Sequence, residues 1–333
     1  MVVAAAAAVF GTHLINTLRR EAFEARQLGQ YRLIEPLGKG GMGEVYLAEH
    51  RMLKRPCAVK LIRPEKAGDP RVLARFEREV QMTARLSHWN TVEIYDYGRT
   101  DDGTFYYVME YLPGLSLEAL VERHGPLPAE RVVHLLRQVC QALREAHAVG
   151  LIHRDVKPGN VFVARRGGLH DVVKLLDFGL VKPVAEFGPA RLTQEGSISG
   201  TPLFMSPEQA RGLDDLDARS DIYSLGAVAY ALLSGRPPFE RASPLEVIVA
   251  HARDEAVPPS RGRPDVPADL ERVVLRCLAK RPEDRFQDAE GLGQALSGCA
   301  AADRWTQAHA ARWWREHGQA ATATREMSAA ATA

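Results

Sequence analysis

Apolar residues alternate along the early part of the chain and recur at helical spacing along most of the rest. In the run Glu44-Val45-Tyr46-Leu47-Ala48-Glu49, Val45 and Leu47 fall on one face and Glu44 and Tyr46 on the other, the period of a strand. Similar runs predict strands at 31–37, 44–50, 56–63, 91–97 and 105–110, with one helix at 72–86. Beyond about residue 112 the period changes. Val132, Leu136, Val139, Leu143 and Ala146 recur at helical spacing, with Pro128 near the start and Gly150 just past the end, so a helix is predicted over 128–149. A second helix, 221–234, is apolar nearly all round, which marks it for the interior of a large domain. Its stop signal is Gly235 followed by Pro237-Pro238. A third, amphipathic helix is predicted over 269–280, ended by Arg281-Pro282. No internal repeat is visible.

These patterns divide the chain into an N-terminal extension (1–30), a strand-rich stretch (31–111), a helix-rich stretch (112–298) and an Ala-rich tail (299–333). A length of 333 residues with 46% hydrophobic content is ample for a large core. Lys and Arg number 43 against 42 Asp and Glu, so no basic field points to nucleic acid and no acidic tract to a solvating tail. The four cysteines, Cys57, Cys140, Cys277 and Cys299, form no C-x-x-C pair, which argues against a zinc site or a disulfide framework and fits a reducing cytoplasm.

Two short motifs carry the chemistry. The first is His153-Arg154-Asp155-Val156-Lys157-Pro158-Gly159-Asn160, and the second is Asp177-Phe178-Gly179. Phosphoryl transfer needs a carboxylate to orient and deprotonate a hydroxyl, and oxygen ligands for Mg²⁺ on the phosphates. Asp155 suits the first task; Asn160 and Asp177, as hard oxygen donors, suit the second. Upstream, Leu37-Gly38-Lys39-Gly40-Gly41-Met42-Gly43-Glu44-Val45 contains G-x-G-x-x-G-x-V. Such a pattern also occurs in dinucleotide-binding folds, but there the glycines open a helix, whereas a strand follows here. Next comes Cys57-Ala58-Val59-Lys60, a lysine at the end of an apolar strand.

Together these motifs resemble the protein kinases, and most closely the serine/threonine protein kinases of the bacterial eukaryotic-like (Hanks) type. The resemblance covers residues 31–298 and implies an α+β, two-lobed protein-kinase fold: an antiparallel sheet with one helix (31–111), then a mostly helical lobe (112–298), with ATP in the cleft. It implies that Asp155 is the base, that Lys157 steadies the γ-phosphate, and that Lys60 reaches the α- and β-phosphates. The partner of Lys60 would be Glu79, with Glu77 as the competing choice. Leu37, Val45, Ala58, Phe162 and Leu176 would enclose the adenine, Met109 would guard the back of the pocket, and Glu110-Tyr111-Leu112 would offer backbone groups to the adenine edge. The glycine-rich run from Gly38 to Glu44 would cover the phosphates. Gly200-Thr201-Pro202-Leu203-Phe204-Met205-Ser206-Pro207-Glu208 looks like the end of an activation segment, with Thr193, Ser197 and Ser199 as phosphorylation candidates facing Arg154. Asp221 would brace the catalytic loop and Arg285 would pair with Glu208. A pseudokinase scaffold should lack one of Lys60, Asp155, Asn160 or Asp177, and a small-molecule phosphotransferase should lack the Ser-Pro-Glu run, Asp221 and Arg285; all are present. The implied reaction is transfer of the γ-phosphate of ATP, with Mg²⁺, to Ser and Thr of protein substrates. A homodimer for autophosphorylation is a further implication.

The ends add a question of place. The apolar run from Met1 to Phe10 is too short to span a bilayer, which takes about 20 residues. It reads either as an Ala-rich terminal helix of a cytoplasmic protein or as the inner end of a membrane span that begins upstream. In the second reading Arg19 and Arg20 lie at the cytoplasmic face and 17–30 form a stalk. At the other end a helix is predicted over 302–317, where Trp305 and Trp313 fall on one face and dock it on the large lobe; 318–333 are expected to be disordered.

Overall fold

The computed structural model describes residues 27–40, 43–62, 77, 80–100, 104–178, 202–213 and 215–317, with only the backbone given at 27, 39 and 40. The terminal 1–26 and 318–333, the glycine-loop tip Gly41-Met42, Glu79, and the phosphorylation candidates Thr193, Ser197 and Ser199 all lie outside the described residues. The chain forms two compact units, one made of residues up to Val80 plus Glu93–Tyr111, the other of Gln81–Val92 plus everything from Leu112 onward.

The first unit is an antiparallel sheet of β1 (Gln27–Leu28), β2 (Tyr31–Gly40), β3 (Gly43–His50), β4 (Arg55–Ile62), β5 (Ile94–Arg99) and β6 (Phe105–Glu110), in the order β1-β2-β3-β4-β6-β5. Alternation sorts its side chains. Tyr46, Ala48, Cys57, Val59 and Val108 build a core on one face, with Leu28, Tyr31 and Leu33. Val45, Leu47, Ala58, Lys60 and Met109 belong to the opposite face, where Val45 pairs with Lys60, Leu47 with Ala58, and Ala58 with Met109.

The second unit opens on β7 (Gly114–Ser116) and the helices α1 (Leu117–His124) and α2 (Ala129–Ala148). A hairpin of β8 (Val161–Arg166) and β9 (Leu169–Leu175) joins β7 in a small sheet. Then come α3 (Pro207–Ala210), α4 (Ala218–Ser234), α5 (Pro244–Arg253), α6 (Ala268–Cys277), α7 (Ala289–Ser297) and α8 (Gln307–His317). As its composition predicts, α4 is buried throughout 220–233. It stops at Gly235, whose N–H bonds Ala231 O at 2.8 Å and whose left-handed φ of 78° then turns the chain out of the helix. Leu135, Leu136 and Leu143 of α2 are buried in the same core, each worth roughly 1.5–3 kcal/mol of transfer free energy.

Several boundaries differ from the sequence reading; β2 runs on to Gly40 instead of 37, and α4 begins at Ala218 instead of 221. Residues 81–92, expected in the small lobe, group with the second unit, because Glu145 accepts hydrogen bonds from Ser87 N–H (2.9 Å) and His88 N–H (3.0 Å) and because Leu175 N–H bonds Asn90 O (2.7 Å). For the same reason β5 begins at Ile94 rather than 91: Thr91 bridges Leu175 and Val92 N–H bonds Leu175 O. Helix α6 ends at Cys277 instead of 280, since the carbonyls of Ala279 and Lys280 accept from the Arg285 guanidinium at 2.7 and 3.0 Å. The last helix starts at Gln307, because Trp305 is drawn away to Asp171. Among the described residues no helix is long and apolar enough to cross a membrane.

Candidate active site

In the second unit the site grows from one carboxylate. Asp221, buried in the first turn of α4, accepts from His153 N–H and Arg154 N–H, each at 2.8 Å, and lies 2.8 Å from His147 Nε2. This holds Arg154 at a left-handed φ of 64°, a conformation that costs a non-glycine residue about 1 kcal/mol or more and persists only where the surroundings enforce it. The bend presents Asp155. Its Oδ2 lies 2.9 Å from Lys157 Nζ and accepts from Asn160 Nδ2 at 3.0 Å. A second bond from Nδ2 to Asp155 O, at 2.9 Å, leaves Oδ1 as the oxygen donor of the Asn160 amide.

His153 is fully buried, and burial pushes its pKa down, so the ring is neutral. Its Nε2 lies 2.8 Å from Leu176 O, and a carbonyl only accepts, so Nε2 carries the proton. Nδ1 is then the acceptor for Asp155 N–H at 3.2 Å. One neutral imidazole thus links the backbone of Asp155 to the residue before Asp177. Leu176 N–H also bonds Asn160 O at 2.8 Å. Phe178 is buried against the His153 ring, 4.7 Å between centroids. Asp177 itself has a left-handed φ of 46°, the second such residue in the site.

The segment from Pro202 onward is tied to this loop. Ser206 and Gln209 form a capping box on α3, and Gln209 Nε2 donates to Arg154 O at 2.7 Å. Arg285 Nη2 donates to Glu208 Oε1 at 2.7 Å in a buried pair, as the sequence predicts.

In the first unit, Val45, Ala58, Lys60 and Met109 share the sheet face opposite the core. Lys60 is buried at 7% exposure, with Nζ 5.7 Å from the Tyr107 ring centroid. Leu37 sits half-buried in β2 at a register shift between Pro36 and Gly38. Glu44 shares the face of Tyr46, as the strand period predicts. It is two residues from Tyr46 on the core side of β3, and its carboxylate accepts from Tyr46 Oη at 2.6 Å, so only its backbone belongs to the glycine-rich flap. Glu110 is buried and its N–H bonds Glu93 O at 3.0 Å. Glu77, the competitor of Glu79, lies 3.4 Å from Arg99 in a surface pair. Lys39 and Gly40 complete β2, and Gly43 opens β3. Leu112, Phe162 and Leu176 are half-buried in the second unit.

A divalent cation fits the donors present. Asn160 and Asp177 supply oxygen atoms, and among the described residues no group of three His, Cys, Asp or Glu could hold a metal alone.

Residues 31–296 match the family model described as the protein kinase domain. Serine/threonine-protein kinase PknB of Mycolicibacterium smegmatis is 44% identical over 263 residues, 78% of this chain and 41% of that protein. Serine/threonine-protein kinase pkn3 of Myxococcus xanthus is 42% identical over 271 residues, 80% of this chain and 49% of that protein. This chain therefore spans less than half the length of either relative. The crystal structure of the Mycobacterium tuberculosis PknI kinase domain superposes with a TM-score of 0.63 at 31% identity, covering 82% of this chain and 97% of that one.

Proposed function

The chain belongs to the protein kinase domain family, and from that premise we propose that it is a serine/threonine protein kinase using ATP and Mg²⁺. The observation that carries the reading is the Asp155 carboxylate, engaged by both Lys157 and Asn160 on a loop braced by Asp221. Asp155 orients the substrate hydroxyl and takes its proton. Lys157, 2.9 Å from that carboxylate, steadies the transferring phosphoryl group. Lys60 positions the α- and β-phosphates, with Glu79 as its partner. Leu37, Val45, Ala58, Phe162 and Leu176 take the adenine, Met109 guards the back of its pocket, and the backbone of Glu110 and Leu112 takes its polar edge. Asn160 Oδ1 and the Asp177 carboxylate would hold Mg²⁺, which, when bound with the nucleotide, supplies charge neutralisation at the phosphate oxygens.

The substrates are proteins carrying Ser or Thr, and the chain phosphorylates its own activation segment. A phosphate adds about −1.5 to −2 charges and orders that segment through Arg154. All four cysteines are buried and unbridged, which supports a cytoplasmic setting. The test is incubation with γ-labelled ATP and Mg²⁺, followed by site mapping. The expected result is label on one or more of Thr193, Ser197 and Ser199, lost on chelation and in Lys60→Met. No label on the chain or on any offered protein substrate would overturn the proposal.

A further inference from the structure

The β8–β9 hairpin has two ends. At the open end Asn160 immediately precedes β8, and Asp177 follows β9 by two residues. Toward the closed end β9 slips register against β8 between Ala164 and Arg166, and Asp171 takes a left-handed φ of 53°. The Asp171 carboxylate meets Arg131 in a fully buried pair, accepting from Nε and Nη2 at 2.9 Å each. Two indoles complete it: Trp305 Nε1 donates to Oδ2 at 2.8 Å and Trp314 Nε1 to Oδ1 at 2.6 Å. Trp313 covers the Arg131 guanidinium at 3.9 Å. The neighbouring residue is bracketed too. His170 N–H donates to Gln307 Oε1 at 2.8 Å, and Gln307 Nε2 donates to His170 O at 2.9 Å.

From this point to Asp177 the strand is held in one register. Gln138 Nε2 donates to Asp171 O at 2.9 Å while its Oε1 accepts Val173 N–H at 3.0 Å. Asn90 Nδ2 donates to Val173 O at 2.8 Å. Leu176 then engages Asn160 and His153 as described. A slip of one residue would turn every side chain of β9 to the other face and carry Asp177 away from Asn160.

We propose that residues 305–317, beyond the stretch matched by the family model, clamp the closed end of this hairpin and so position Asp177 at its open end. Trp305, Trp314 and Gln307 are positioning residues that touch neither nucleotide nor substrate. The inference rests on the reading that Asn160 and Asp177 hold the metal.

The full chain is compared with W305F/W314F, which keeps the aromatic bulk and removes both indole donors, and with Gln307→Ala at an exposed position. Three quantities are read: hydrogen exchange of the 172–176 amides against those of 222–233, the Mg²⁺ concentration giving half-maximal transfer, and ATP binding in EDTA. In the double variant, exchange at 172–176 should rise about 10-fold with 222–233 unchanged, as expected for a local opening. The half-saturating Mg²⁺ should also rise about 10-fold, a loss common when support behind a metal ligand is removed, while ATP binding in EDTA stays at the wild-type value. Gln307→Ala should move the first two readouts the same way by less. Wild-type exchange and Mg²⁺ dependence in both variants would overturn the clamp, as would equal acceleration across 222–233. If the double variant does not fold, Gln307→Ala decides alone, and wild-type exchange at 172–176 in it counts against the proposal. Absence of transfer in the wild type would sink the kinase reading, while exchange would still judge the clamp.

Discussion

The Asp221 carboxylate does no chemistry itself, yet its two oxygens decide where Asp155 sits. They are the acceptors for His153 N–H and Arg154 N–H, and they enforce the left-handed turn at Arg154. Asp221→Ala would leave both N–H groups without that acceptor. The expected loss is about 1–3 kcal/mol, the usual cost of one unsatisfied buried group, here His153 N–H, together with a fall in phosphoryl transfer. Asp221→Asn keeps one acceptor oxygen and should lose less. Chemical denaturation and a transfer assay check this; an Ala variant with wild-type midpoint and rate would show that the turn holds without the brace. At this scale the sequence was legible where a motif implies a structural contact: Asp221 braces the catalytic loop and Arg285 pairs with Glu208. Asp171 was not legible, because its donors are 40, 134 and 143 residues away and no local pattern announces them.

Elements were read well where end signals are local and poorly where tertiary bonds override them. Pro128 and Gly150 bracket α2, and Gly235 stops α4 as expected. The ends of β5, α6 and α8 shifted because Leu175, Arg285 and Asp171 capture the backbone or the side chains that periodicity alone would have extended. Packing between elements also sets a pH response. His251 on α5 is buried beside Phe239, with Nδ1 3.0 Å from Tyr223 Oη, and Lys280 Nζ bonds its carbonyl at 3.0 Å. Burial, then the Lys280 charge, pushes the His251 pKa from 6.5 down to about 3. The folded value lies below the unfolded one, so the unfolded chain takes the proton first on acidification. Stability is therefore full above about pH 6.5 and falls as pH drops toward 3, by at most about 1.4 kcal/mol per unit. Between pH 7.5 and 5.0 the wild type should lose about 2 kcal/mol more than His251→Gln, measured by urea denaturation. An identical pH dependence in the two proteins would contradict this assignment.

For the molecule as a whole, the class of fold and the family were legible from motif order, since the glycine-rich run, the lysine strand, the catalytic loop and the Asp-Phe-Gly run follow one another along one chain. What no motif carried is the C-terminal segment, which completes a buried ion pair of the second unit through two indoles and brackets the neighbouring His170 backbone through one amide. The central claim is that this chain transfers phosphate with Asp155 as its base. The most direct measurement is the single-turnover rate of transfer from ATP to a Ser-containing protein substrate by wild type and Asp155→Asn, with ATP binding measured in parallel. The account predicts unchanged ATP affinity and a rate lower by about 10²–10⁴-fold, the usual contribution of a positioned base. Equal rates in the two proteins would contradict it.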